Sequence, residues 1–322
     1  MRTQILLSLT LLSFASPVVF GATYFLPGVS MESGWHDAEK QWKDANGIEV
    51  DSNMCWAAQA ASMTQYWQDW YVKAGNKLPD GTPTGYGASK RSDGIVSCNI
   101  FETYKENWSN LGGLAEFGLP WYFSGQPDTE YYTHGYYQQS GWSKLMTSGA
   151  GGYFSETHPT ADSFFAQEDF YEYTVTDGGT SIQELTQELM RLITVDYSIV
   201  GLTIDFWNEN PMSYYGGHAV TLWGFDTDDT TNLISAIYIT DSDDDYYGIR
   251  RYTLETYWDG ADIEMETYLS DEFKLKYDVT IDKFTALSIA KFVAAVPEPS
   301  AFGLFAGVFA LVFAGTRRRR SR

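Results

Sequence analysis

The apolar positions of this chain change period partway along it. Cys55 to Val72 contains no Gly or Pro and is rich in Ala, Gln, Met and Trp, which predicts a helix. Asp51, Ser52 and Asn53 precede it as N-cap candidates, and Ala58, Ser62 and Tyr66 share a face with Cys55 at helical spacing. Residues 22–50 read as an extended leading segment, and residues 73–97, rich in Gly, Pro and Ser, as a loop. Ile100 to Trp108 predicts a second helix, while residues 110–165, with nine glycines, read as irregular with short strands. Ser181 to Leu192 carries apolar residues at helical intervals behind Thr180, a further N-cap candidate.

Beyond that helix the period shortens to two. Ser198 to Ile204 predicts one strand and His218 to Phe225 the next. Asp226 to Asn232 makes a polar turn, and Leu233 to Thr240 returns as the partner strand of an antiparallel hairpin. Ile249 to Leu254 predicts a further strand. There is no internal repeat, and a helical first half followed by a sheet-rich second half points to an α+β fold.

Both ends carry targeting patterns. Met1-Arg2, an apolar run from Ile5 to Phe20 and the small pair Gly21-Ala22 read as a secretory signal over residues 1–21. At the other end Pro297-Glu298-Pro299 is followed by an apolar run from Ala301 to Gly315 and by Arg317 to Arg320. That run is short for a bilayer span, which needs about 20 residues. The arrangement over residues 296–322 resembles the PEP-CTERM sorting signal of Gram-negative bacteria. The resemblance implies a transient anchor in the inner membrane, an exosortase-type transpeptidase as partner, and delivery to the cell surface, the extracellular matrix or the medium. Residues 22–295 are left as the functional domain.

Charge then narrows the partners. Without the two ends, Lys and Arg fall from 21 to 15 while Asp and Glu fall only from 42 to 41, a net charge near −26. Nucleic acid and anionic membrane surfaces both need a basic footprint, so neither is expected as a partner. Aromatic residues make up 16% of the chain. Stretches such as Glu130 to Tyr137 could line a groove, but loop packing explains them as well. The acidic runs Asp226, Asp228, Asp229 and Asp241 to Asp245 do not follow the EF-hand ligand pattern, and no His/Cys spacing supports zinc. No cofactor is called for.

The chemistry-bearing residues are few. Cys55 opens the first predicted helix, where the helix N-terminus and a nearby imidazolium lower a thiol pKa from about 8.5 to roughly 3.5–7.5. His218 begins one strand of the hairpin and Asp241 ends the other, so both fall at the same end of the sheet. An aspartate there can hold one imidazole nitrogen and aim the other at a thiol. Cys98 is the only other cysteine. A Cys55–Cys98 disulfide in an exported protein would block the nucleophile and leave a non-catalytic matrix or adhesin-type binding domain. A transglutaminase-like acyl transferase would share the Cys-His-Asp chemistry.

Taken together these residues resemble the IdeS/Mac family of secreted cysteine endopeptidases, which are papain-like and cleave immunoglobulin G. The similarity is strongest in Gly217 to Asp226, with its His-x-x-x-Leu-Trp-Gly strand, and in Ala236 to Asp243, with its Tyr-x-Thr-Asp-Ser-Asp strand. The helix Cys55 to Trp67 and Gly34-Trp35-x-Asp37 also match; residues 80–180 match less. The resemblance implies a papain-like fold, with a cysteine-bearing helix packed on a sheet that carries His and Asp. It also implies hydrolysis of a protein or peptide substrate. Cys55 would be the nucleophile, His218 the general base and acid, Asp241 its orienting partner and Asp243 a second aspartate beside it. Lys40 would form the oxyanion hole together with the Cys55 backbone N–H, with Lys43 as a weaker stand-in. Two features depart from the family: the stretch between Lys40 and Cys55 is several residues longer, and Trp56 stands where the streptococcal enzymes have Gly. Immunoglobulin specificity therefore does not transfer.

Overall fold

Helix α1 (Cys55–Lys73) organises the molecule in a computed structural model that describes residues 21–90, 96–126, 151–161, 163, 170–174, 182–209, 212–244, 246–256, 263–264 and 277–296. Every residue from Trp56 to Gln68 is buried, so α1 is a central helix that meets solvent only towards its ends. A helix buried on all sides must satisfy its polar side chains internally. Gln59 Nε2 donates to the carbonyls of Leu202 (2.8 Å) and Val220 (2.6 Å). Ser62 Oγ accepts the Ala38 N–H at 3.1 Å. Gln68 Nε2 donates to the Pro83 carbonyl and to the Tyr122 hydroxyl.

The sheet beneath α1 is antiparallel throughout. Its central hairpin is β5 (Ser198–Glu209) with β6 (Met212–Thr227), joined on one side by β7 (Ile234–Thr240) and β8 (Arg250–Thr253). On the other side lie β11 (Tyr277–Ser288), β10 (Ile263–Glu264) and β9 (Glu255–Thr256). Two short strands complete the nine: β1 (Thr23–Phe25) pairs with the far end of β6, and β4 (Phe170–Thr174) pairs with β11. The other helices among the described residues are α2 (Asn99–Asn107), α3 (Ala115–Ser124), α4 (Ile182–Thr194) and α5 (Ala290–Ala295).

The predicted helices at 55–72, 100–108 and 181–192 form within two residues of their expected bounds, and the strands expected at 218–225 and 233–240 pair as an antiparallel hairpin. Other expectations are corrected. The loop expected at 73–97 contains a two-stranded sheet, β2 (Tyr86–Lys90) with β3 (Val96–Cys98). The irregular stretch from 110 contains α3, whose Gly118 and Pro120 both read as helix breakers. Gly118 is required by packing: a Cβ there would lie 2.9 Å from the Trp56 ring and 3.0 Å from Tyr104. Strand β6 begins six residues before His218, because Met212 to Gly217 pair with β5. Strand β11 went unforeseen. Its period is broken by a bulge at Ile281/Lys283 and by a buried Lys283, which is ion-paired with Glu116 of α3. Thr180, Glu130 to Tyr137, Asp245, residues 1–20 and residues 297–322 lie outside the described residues. Among the described residues no helix is long and apolar enough to cross a membrane.

Much of the aromatic content packs the core. Trp56 meets Tyr104 and Trp108 edge to face, and Trp67 meets Phe123, Phe154 and Phe292 in the same way at ring separations of 4.9, 5.1 and 5.1 Å.

Contact between α1 and the sheet depends on Gly201. A Cβ at that position would stand 2.6–2.9 Å from the Gln59 carboxamide. Gly201→Ala is expected to destabilise the protein by about 1–3 kcal/mol through overpacking. Adding Gln59→Ala should recover part of that loss, which a double-mutant cycle of thermal unfolding measures.

Candidate active site

Cys55 occupies the first position of α1, half-buried, where its backbone N–H has no acceptor within the helix. The expected N-cap is corrected here: Met54 caps the helix without a side-chain hydrogen bond. Asp51 turns away instead. It is fully buried and accepts the N–H groups of Gln41 and Trp42, with Lys105 Nζ 3.3 Å from its second oxygen.

His218 is buried in β6 opposite Ile204, and Asp241 follows the last residue of β7. The register Thr221↔Thr240 brings the two to the same end of the strand pair, as expected from the turn length. His218 Nε2 donates to Asp241 Oδ1 at 2.6 Å, and Asp241 Oδ1 also accepts the Asp243 N–H at 2.9 Å. The imidazole also interacts with the Cys55 thiol, each shifting the other's proton affinity, and its Nδ1 lies 3.6 Å from Asp243 Oδ2.

Lys40 completes the cluster. Its ammonium contacts Asp243 Oδ1 at 2.5 Å and the Ser52 carbonyl at 2.7 Å, and its side chain is almost wholly buried. The leading segment is stitched along the aspartate-bearing loop to place it. Thr240 Oγ1 donates to the His36 carbonyl, Lys40 N–H to the Ser242 carbonyl and Gly248 N–H to Asp37 Oδ2. Lys43, the weaker stand-in, pairs with Glu49 in an isolated bridge away from this cluster. Cys55, His218, Asp241, Asp243 and Lys40 thus meet in one place although they span some two hundred positions of sequence.

The electrostatics follow from this arrangement. Burial pushes the Cys55 thiol up, but the hydrogen bond and charge of His218 and the charge of Lys40 outweigh it and bring the thiol below its ordinary value. Burial alone would drive the proton off His218. The Asp241 carboxylate and the Cys55 sulfur more than offset this and hold the imidazole well above its usual range. Both shifts run in the direction that favours a charged thiolate–imidazolium pair over two neutral groups. Both cysteines are free thiols, and burial pushes Cys98 up to about 11. His218, Asp241 and Asp243 present ligand atoms within 4.8 Å of one another, close enough to share a cation, and the Lys40 ammonium already contacts Asp243. The other acidic run is used in turns and ion pairs: Asp228 accepts the N–H groups of Thr230 and Thr231, and Asp226 pairs with Arg251.

Sequence reasoning missed the supports of the site. Asp37 was noted only as part of a motif and Asp51 only as a cap; neither residue type signals a buried backbone clamp by itself.

Comparison with known proteins finds a similarity over part of the chain. Residues 155–272 match the family described as Mac 1. That segment carries His218, Asp241 and Asp243 but begins a hundred residues after Cys55. It relates the chain to the IdeS-like cysteine proteases over that part. No curated protein matches the chain.

Asp37 yields a prediction. Its carboxyl is held well above the usual range by burial, then by the negative charges of Glu39, Asp244 and Asp241, against the Gly248 hydrogen bond. The folded state therefore binds this proton more tightly than the unfolded chain does. The associated stability is present below about pH 4 and is lost as pH rises through the native pKa. Asp37→Asn should raise the thermal midpoint at pH 7–8, with the gain shrinking towards pH 4 when Tm is followed against pH.

Proposed function

We propose that the chain is a papain-like cysteine endopeptidase with Cys55 as nucleophile. The observation that carries this reading is the buried imidazole of His218, held by Asp241 at 2.6 Å and coupled electrostatically to the Cys55 thiol at the start of α1. Structural histidines have no need of a thiol at a helix N-terminus. The Mac 1 match over 155–272 and the assembled Lys40 support the same reading.

In this reading His218 takes the thiol proton, and the Cys55 thiolate adds to a peptide carbonyl carbon. The negative charge moves to the carbonyl oxygen. There the Cys55 backbone N–H and the Lys40 ammonium stabilise it. Collapse of the intermediate breaks the C–N bond, His218 returns the proton to the leaving amine, and the acyl group stays on sulfur. Water, deprotonated by His218, then attacks the thioester and releases the acid with the thiol restored. Asp241 keeps the ring oriented and stabilises its positive form. Asp243 anchors Lys40.

The substrate class is extracellular polypeptide, reached after removal of residues 1–21 and sorting through residues 296–322 by an exosortase-type enzyme. The domain that acts is residues 22–295. The longer stretch before Cys55 sets its specificity apart from immunoglobulin cleavage, whereas Trp56 is buried in the core.

Hydrolysis of fluorescein-labelled casein under reducing conditions tests the proposal. Cys55→Ala should reduce it to background. Asp241→Asn should lower kcat by on the order of 10²–10⁴, and Lys40→Met by about 10²–10³. Added amine should leave the products unchanged, which separates hydrolysis from acyl transfer. Undiminished cleavage by Cys55→Ala would overturn the assignment.

A further inference from the structure

The stretch that lengthens the path from Lys40 to Cys55 is a built feature. Trp42 to Val50 fold back on themselves: Val50 N–H donates to the Trp42 carbonyl at 2.9 Å, and Asp44 N–H to the Ile48 carbonyl at 2.9 Å. Lys43 and Glu49 form the single bridge of the turn. The Asp44 carboxylate is taken up by the turn itself, accepting the N–H groups of Asn46 and Ile48. Among the exposed residues of this turn, beside the polar Lys43, Asn46 and Glu49, are two large apolar ones: Ile48 and Trp42, which is 45% exposed.

Trp42 is also strained. Its φ is +62°, the left-handed region that a bulky residue rarely occupies and that Gly or Asn would fill at lower cost. The conformation is held by a dedicated group, the fully buried Asp51, whose Oδ1 accepts the Trp42 N–H at 2.7 Å and the Gln41 N–H at 3.0 Å. A strained backbone maintained by a buried carboxylate gains the fold little if the ring it carries stays in water. Such strain persists where function uses the side chain.

The place to which the ring is carried supplies the function. Lys40 Nζ lies 4.6 Å from the indole centroid, and the same ammonium contacts Asp243 beside His218. The indole thus lies against the proposed oxyanion cation while much of the ring stays open to solvent.

We propose that Trp42 is a specificity-determining residue: it walls a subsite that takes one large apolar side chain of the peptide substrate, with Ile48 at its rim. The inference rests on the peptidase reading above. The indole buries the substrate side chain by ordinary hydrophobic contact, and its cation–π contact with Lys40 keeps the ring in register with the oxyanion hole.

The test uses the full chain and internally quenched alanine-based peptides in which Phe replaces Ala at one position at a time, with iodoacetamide labelling of Cys55 as a probe that has no side chain to recognise. For the wild type, Phe at one position should raise kcat/KM about tenfold over Ala, and Trp42→Ala should bring that ratio within about twofold, chiefly through KM. Trp42→Gly, which removes the ring and also relieves the strained φ, should do the same. Iodoacetamide labelling should be unchanged in both. A Phe preference that survives both substitutions, or a wild type without any, overturns this inference alone. Slower iodoacetamide labelling with an unchanged Phe preference makes Trp42 a cover for Lys40 and also overturns it. If the wild type cleaves none of the peptides, the peptidase reading falls and the subsite with it.

Discussion

The site depends on one constraint: an imidazolium can be buried only if fixed negative charge surrounds it. Removing His218 from water favours its neutral form, and a neutral imidazole would leave Cys55 an ordinary buried thiol. The 2.6 Å hydrogen bond to Asp241 reverses that preference. Each further feature of the cluster balances a charge introduced by the one before. Asp241 balances His218, the Asp243 N–H satisfies Asp241, and the Lys40 ammonium balances the Asp243 carboxylate. Removing one partner would leave an uncompensated buried charge, and that makes the group act as a unit.

The rest of the fold holds these charges in register. Gln59, one turn beyond Cys55, fastens α1 to carbonyls of both central strands and fixes the height of the thiol over the sheet. The leading segment is laid along the Thr240–Gly248 loop by three hydrogen bonds, and Lys40 arrives at the end of that run. Asp51 then turns the chain away through Gln41 and Trp42 before it enters α1. Each side chain is thus positioned by contacts to backbone, which sequence spacing alone does not specify.

That distinction explains how much could be read in advance. The helix from Cys55 was legible because nothing interrupts it. The His218–Asp241 pairing was legible because a short polar turn between alternating strands sets the register. The strand β11 was hidden by Lys283, a charge that only its contact with Glu116 makes tolerable inside the sheet. The helix α3 was hidden by Gly118, a residue chosen for the approach of Trp56 and Tyr104 and not for helix propensity. Asp51 looked like a cap because Asp shortly before a helical run is a common capping residue, whereas its real partners lie upstream at Gln41 and Trp42. Local pattern revealed the elements; the supports of the site are long-range.

The central claim is that Cys55 and His218 form a charged pair at rest, and alkylation of Cys55 by iodoacetamide against pH tests it most directly, since no substrate is needed. The account predicts fast labelling already at pH 5–6. In His218→Ala that phase should vanish and labelling should rise only near the ordinary thiol pKa of about 8.5. Identical titrations in the two proteins would contradict it.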